Sequence, residues 1–297
     1  MSAPGPFPGL DRQTGEGVAR SAGAGIAWRA YGRGEPVIMV MGFMGSGRAW
    51  FRLLPYLSAS RRAVVLDNRG TGDSDRPLGL WSMDGLAADV LAVMNDAGLE
   101  RAHVVGASMG GMIAQHFALA HPDRIRSLAL ACTHPGGLQP GAPPWRMFAS
   151  LFLRPVLGQQ RTFPIVAPML YSSATRRLRP ERMREDGRFR LEDGTPIITA
   201  PSQAAAIYRH DTRRRLSELR MPVLIVHGEQ DRLISPENAH RMAREIPGAR
   251  LLMIRGAGHM LTTDAEEETA DALLGFFDDV EDGEEAQAAR SAGTSSA

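Results

Sequence analysis

The 297-residue sequence contains no lysine: all 34 of its basic residues are arginine. Chemistry that proceeds through a lysine imine is thereby excluded, aldolase and pyridoxal mechanisms among it. Cysteine is almost missing too, with Cys132 alone. A single cysteine rules out an intramolecular disulfide framework and a cysteine-based metal cluster, and it is compatible with a reducing compartment, so a cytoplasmic location is expected. Charge of one sign is also lacking, since 34 basic residues face 33 acidic ones for a formal net charge of +1. That balance gives no electrostatic ground for binding nucleic acid. No apolar run approaches the roughly 20 residues of a membrane span, and the opening MSAPGPFPGLDRQTGEG has no apolar core of signal-peptide length, so no membrane partner is expected.

What is present is a composition of 43% hydrophobic and 23% charged residues, which suits a globular chain with a substantial core. Residues 1–17, rich in Pro and Gly, and residues 279–297, acidic and small, lack the apolar content to order themselves and are expected to be disordered. Between them recur short apolar runs: Val37 to Val40, Ala63 to Leu66, His103 to Val105, Ser127 to Ala131, Val223 to Val226 and Arg250 to Ile254. Such uninterrupted runs predict strands buried on both faces of a parallel sheet. Leu86, Val90, Val93 and Ala97 form one helical stripe, and Ile113, Phe117 and Ala120 another that stops before His121-Pro122. Thr263 to Glu266 reads as a capping box opening the helix that carries Leu273, Leu274, Phe276 and Phe277. Strand alternating with helix predicts an α/β fold with right-handed crossovers. The rhythm is lost over 134–215, which is expected to be an inserted cap, leaving 18–133 and 216–278 as the core.

In an open α/β sheet, ligands bind beyond the carboxyl ends of the strands, so the residues after each run are the ones to inspect. After the third run, Gly106-Ala107-Ser108-Met109-Gly110 fits the G-x-S-x-G turn that exposes a nucleophilic serine. After the first, MGFMGSG is a glycine-rich turn, and the backbone N–H groups of Phe43 and Met109 are the candidate oxyanion donors. After the fifth, HGEQDRLIS offers Glu229 and Asp231; after the last, RGAGHM offers His259. The chain order Ser108, Asp231, His259 is the order Ser, Asp, His of one of the three triad arrangements found on unrelated folds. In that arrangement Ser108 loses its proton to His259, while Asp231 fixes the imidazole tautomer and stabilises the imidazolium.

Six segments taken together, VMVMGFMGSGRAW, VVLDNRGTGDSDRP, VVGASMGGMIAQHFALAHPDRI, LALACT, PVLIVHGEQDRLIS and MIRGAGHM, resemble the α/β-hydrolase superfamily in its cap-bearing, esterase-like and lactonase-like branch, from about Ile26 to Phe277. The resemblance implies an eight-stranded, mostly parallel sheet with helices on both faces, Ser108 after the fifth strand, and a helical cap after the sixth. It selects Asp231 over Glu229 as the acid. One departure is Met41-Gly42, where many relatives have His-Gly at the oxyanion turn, which leaves open how that loop is braced. The activity implied is cleavage of a carboxylic ester or lactone with an apolar portion, through an acyl-enzyme on Ser108, with no cofactor and no metal. Carbon–carbon bond hydrolysis, peroxyacid formation, acyl transfer or cyclisation, and ligand binding without turnover are the alternatives. Substrate contacts are expected from Met44, Met147 and Phe148. His103, His116, His121, His227 and His240 read as core, helix or turn residues, His134 and His210 as cap-flanking residues, and Cys132 as a small core residue. Asp67, Arg69 and Asp73 read as turn residues, and Arg176 to Arg190 as a solvated, self-paired surface.

Overall fold

Each of the six apolar runs becomes a strand, and the runs inside the sheet are covered on both faces because they are mostly apolar, while the last forms an edge strand with Arg250 exposed. The computed structural model describes residues 13–137, 153, 158–192 and 195–294. Eight strands, β1 (Gln13–Ser21), β2 (Ala24–Tyr31), β3 (Pro36–Val40), β4 (Arg62–Leu66), β5 (Ala102–Ala107), β6 (Ile125–Ala131), β7 (Val223–Gly228) and β8 (Arg250–Ile254), form one sheet in the order β1-β2-β4-β3-β5-β6-β7-β8. β2 pairs antiparallel with β1 and β4, and all pairings from β4 across to β8 are parallel. The two strands without an apolar run are β1 and β2. β1 is an edge strand whose residues alternate between water and protein, which gives it a mixed, polar sequence. It begins at Gln13, so the expectation of disorder over residues 1–17 is corrected for 13–17; residues 1–12 lie outside the described residues.

Side chains alternate across the sheet and build two apolar layers. Ile38 and Val40 of β3 face the layer made with α2 (Met83–Asp96), α3 (Met109–Ala120) and α8 (Glu237–Glu245), where Leu86, Val90, Phe117 and Met242 are buried. Val37 and Met39 face the opposite layer, made with α1 (Leu54–Ser58) and α10 (Glu266–Thr294), where Leu57, Leu273 and Phe277 are buried. α10 runs through the acidic end expected to be disordered from residue 279, a second correction. Its acidic residues are met by arginines from the other side of the chain fold: Glu281 lies 3.3 Å from Arg61, just before β4, and Glu284 2.9 Å from Arg126 of β6. Such partners, more than 150 positions away along the chain, leave no trace in local composition.

Between β6 and β7 the described residues contribute α4 (Gln159–Leu170), α5 (Ser173–Leu178), α6 (Pro180–Glu192) and α7 (Ala200–Arg209), and no strand beyond an isolated bridge from Gly136 to Asp211. That bridge, with Thr212 N–H donating to the Pro135 carbonyl (2.8 Å) and the Thr212 hydroxyl donating to Gln115 (2.6 Å), ties entry and exit of the segment together. Met147 and Phe148 lie outside the described residues.

Candidate active site

Ser108 follows β5 directly and has φ 55° and ψ −119°, a left-handed conformation that disfavours any residue with a Cβ. The strain is held from several sides: Ser108 N–H donates to the Ala131 carbonyl (2.9 Å), and the Ser108 carbonyl accepts from Gly111 N–H (2.9 Å) and the Thr133 hydroxyl (2.8 Å). The flanking glycines serve space rather than torsion. A Cβ on Gly110 would stand 2.0 Å from the Val40 carbonyl oxygen, and one on Gly106 2.4 Å from that of Gly110. Only glycine lets α3 approach β3 and β5 so closely, and the serine is thereby placed at the N-terminus of α3, where the helix dipole favours negative charge.

The turn after β3 lies against this serine. A Cβ on Gly42 would stand 3.0 Å from Ser108 Cβ. Met109, the other expected donor, is the first residue of α3, so its N–H has no carbonyl partner within the helix. With Met41 at this turn, bracing comes from hydrogen bonds: Asn68 Nδ2 donates to the Met41 carbonyl (2.7 Å), Gly45 N–H to that of Gly42 (3.1 Å), and Asp67 Oδ1 accepts from Gly47 N–H (2.8 Å). Asp67 thus has the turn role expected of it. Arg69 is paired with Asp89 and Asp73 with Arg29, and both are likewise structural. Phe43 is half-buried against the core, and Met44, with φ 58°, donates its N–H to Gln203 Oε1 of α7 (2.8 Å). Gln203 was not singled out in the sequence, since a polar residue in an amphipathic helix gives no sign of what it reaches.

Asp231 and His259, 28 positions apart, meet beyond β7 and β8, with His259 Nδ1 donating to Asp231 Oδ2 at 2.7 Å. Both are buried. Burial alone would push the Asp231 carboxyl up, but the facing charge of His259 and hydrogen bonds from His227 and His259 outweigh it and hold the group below the usual carboxylate range. With Nδ1 committed to the acid, Nε2 is the atom left to accept a proton. The hydrogen bonds of Ser108 run through its backbone and those of His259 to Asp231, with none joining the two residues; contacts of this kind commonly tighten only around substrate. Glu229, the rival acid, is exposed and has no part in the pair.

The histidine loop is fastened to the β6–β7 segment. Met260 N–H donates to the Leu170 carbonyl (2.8 Å), and Asp264 Oδ2 accepts from both Gly258 N–H (2.7 Å) and Ser172 N–H (2.9 Å). Thr263 donates its hydroxyl to Asp186 Oδ2 (2.6 Å), which also accepts from Tyr171 (3.0 Å), while Arg52 reaches Asp186 Oδ1 at 3.1 Å. The expected capping box at Thr263 to Glu266 is therefore not formed. Leu261–Asp264 make a short helix of their own, α9, and their polar side chains face the inserted segment. A recess lined by Phe51, Phe189, Met260 and Arg48, among others, opens beside this junction.

Three buried residues, Cys132, His227 and Asp231, bring potential metal-ligating atoms within 4.8 Å of one another. Burial and the negative charge of Asp231 push the Cys132 thiol well up, and Asp231 is committed to His259, so the donor set is a hydrogen-bonding one. His134 and His210, expected beside the cap, are buried and bonded to each other, His210 Nε2 to the His134 carbonyl at 2.9 Å.

The family model described as alpha/beta hydrolase fold matches residues 35–265. A protein of Azorhizobium caulinodans that bears the name "Putative carbamate hydrolase RutD" is 27% identical over 272 residues, covering 89% of this chain and 98% of that one. Among solved structures, a thermophilic esterase from Thermogutta terrifontis superposes with a TM-score of 0.77 at 26% identity, covering 91% of this chain and 99% of its own. Est816, described as an N-acyl homoserine lactone degrading enzyme, does so at 0.74 and 27%, covering 88% and 100%. With more than half its length matched and the strand order, the serine turn and the helices on both faces in place, the chain belongs to the α/β-hydrolase fold family.

Proposed function

We propose that this hydrolase cleaves carboxylic esters or lactones with an apolar portion, using Ser108 as nucleophile, His259 as base and Asp231 as the residue that orients it. The observation that carries the reading is the strained Ser108 beneath the Gly42 turn, combined with the 2.7 Å contact between His259 and Asp231. Ser108 Oγ attacks the carbonyl carbon as its proton passes to His259 Nε2, and the oxyanion that forms is met by the N–H groups of Phe43 and Met109. The intermediate collapses as the imidazolium returns that proton to the departing alkoxide, leaving the acyl group on Ser108. Water, deprotonated by His259, then repeats the attack and frees the acid; for a lactone the released hydroxyl stays attached to that acid. The segment 134–215 serves as a cap over the strand ends, with Met44, Met147 and Phe148 contacting the apolar portion. Supporting similarity comes from the esterase and the lactone-degrading enzyme, and no step requires a cofactor.

The test is turnover of p-nitrophenyl esters of graded acyl length, of lactones and of a carbamate by the wild type and by Ser108→Ala. Hydrolysis of esters or lactones by the wild type alone supports the reading. Turnover by Ser108→Ala near the wild-type rate would overturn it.

A further inference from the structure

Asp231 is gripped by more than the base. Its Oδ1 accepts from Leu233 N–H (2.8 Å) and Ile234 N–H (2.9 Å), and its Oδ2, besides accepting from His259, lies 3.2 Å from His227 Nε2. His227 is fully buried near the end of β7, and the same Nε2 lies 3.0 Å from the Ile234 carbonyl oxygen. Both neighbours of Nε2 only accept, so Nε2 carries the hydrogen. Its Nδ1 is buried without a hydrogen-bond partner among the described residues. An N–H at Nδ1 would be a buried donor left unsatisfied, so the donor hydrogen is placed on Nε2.

We infer that His227 is a positioning residue for the acid: one N–H shared between Asp231 Oδ2 and the Ile234 carbonyl closes the 231–234 turn and fixes which carboxylate oxygen faces His259. The inference rests on Asp231 and His259 being the acid and base. Backbone N–H groups hold only Oδ1. Without His227, the one ring donor left on Oδ2 would be the His259 imidazole, the group that must itself move a proton between Ser108 and the leaving group, with the weakly donating Cys132 thiol as the remaining neighbour of the carboxylate. The N–H also draws charge from Oδ2. Its removal leaves the carboxylate a stronger attractor of the imidazolium while loosening its geometry. The other titratable group on this cluster is Cys132, at the end of β6, whose thiol burial keeps protonated.

The test compares His227→Phe, His227→Gln and His227→Asn by kcat and KM for a p-nitrophenyl ester across pH. The phenyl ring keeps shape and loses the donor, so kcat is expected to fall about tenfold to a hundredfold, the range for a hydrogen bond to a charged group. KM should hold, and the acid limb of the kcat/KM profile should move to higher pH. Gln, whose amide nitrogen reaches about as far as Nε2, should recover most of the loss; Asn, whose nitrogen stops at the level of Nδ1, should not. A merely structural histidine would lower stability and leave the limb in place. Wild-type kcat and limb in His227→Phe, or equal impairment of Gln and Asn with an unmoved limb, would overturn the inference. Should the Phe variant not fold, the comparison of Gln with Asn decides alone. Asp231→Asn, measured alongside, separates the two layers: if it is nearly as active as the wild type the acid–base reading itself fails, and if it is impaired while His227→Phe is not, only the role of His227 fails.

Discussion

At Asp231 the two carboxylate oxygens have separate partners, backbone N–H groups on one and imidazoles on the other, so the side chain has a single orientation. Replacing it by Asn keeps the size and removes the charge, and the amide can present an N–H to His259, favouring the wrong tautomer. Asp231→Asn is therefore expected to lower kcat roughly ten-thousand-fold with the fold retained, as known for a triad acid, whereas Glu229→Gln, at an exposed position, should be mild. Steady-state kinetics on both variants checks this; the reverse pattern would move the acid to Glu229. That Ser108, Asp231 and His259 stand beyond strand ends was legible in the sequence because each follows an apolar run, and strand ends converge in any α/β sheet. The reach of His227 to Asp231 was not, since a histidine four positions before an aspartate across a turn has many possible orientations. Likewise the sequence showed glycines around Ser108 without showing that the unfavourable torsion falls on the serine itself.

At the scale of elements, the inserted helices and the histidine loop share buried polar joints. Asp186 of α6 accepts from Arg52, Tyr171 and Thr263, and Asp264 holds Gly258 and Ser172 together. Loss of the Asp186 carboxylate would remove a shared acceptor from Thr263 and Tyr171, while Arg52 keeps its pairing with Glu185 (2.7 Å). Asp186→Ala is expected to destabilise the protein by about 2 kcal/mol, the scale for taking the acceptor from a buried donor, and to lower kcat by disturbing the His259 loop. Urea unfolding together with kinetics tests both parts; a stable variant with unchanged kcat would uncouple the segment from the loop. The interruption of the strand–helix rhythm was readable over 134–215, but this docking was not. Thr263 and Asp264 have the spacing of a helix cap, and a cap is what local sequence supports; the partners that override it come from α6 and the α4–α5 link. A second expectation at this scale concerns Gly110→Ala: the added methyl would have to displace the Val40 carbonyl oxygen at 2.0 Å, so the variant should unfold at lower denaturant concentration or fail to accumulate as folded protein.

For the whole molecule, three buried histidines couple stability to pH. Burial, aided by the nearby charges of Arg126, Arg61 and Arg101, pushes His103 down to about 3; burial pushes His134 down to about 4 and His210 to about 3. In the unfolded chain each titrates near about 6.5. Above about pH 7 all three are neutral in both states and cost nothing, but as pH falls below 6.5 the unfolded chain binds protons that the folded one refuses until near 4 or 3. Stability is thus expected to be flat above pH 7 and to decline steadily from about pH 6.5 downward, with unfolding near pH 5 accompanied by uptake of about three protons at these sites. Denaturant melts across pH measure it, and a stability maximum near pH 5 would contradict it. His103 sits in an apolar run and was readable as a core residue. It pairs with Ser127 of the neighbouring β6 (2.7 Å), and its second partner, Glu281 of α10 (2.9 Å), comes from a helix whose composition argued for disorder.

The expectations about catalysis stand on Ser108 being the reacting group of the folded chain. The direct measurement is to expose the wild type and Ser108→Ala to a fluorophosphonate and to locate any adduct by peptide mass spectrometry. A single adduct on the peptide carrying Ser108, absent from the Ala variant and formed more slowly by Asp231→Asn, is expected. An adduct on another residue, or ester hydrolysis by a wild-type protein that the probe does not label, would contradict it.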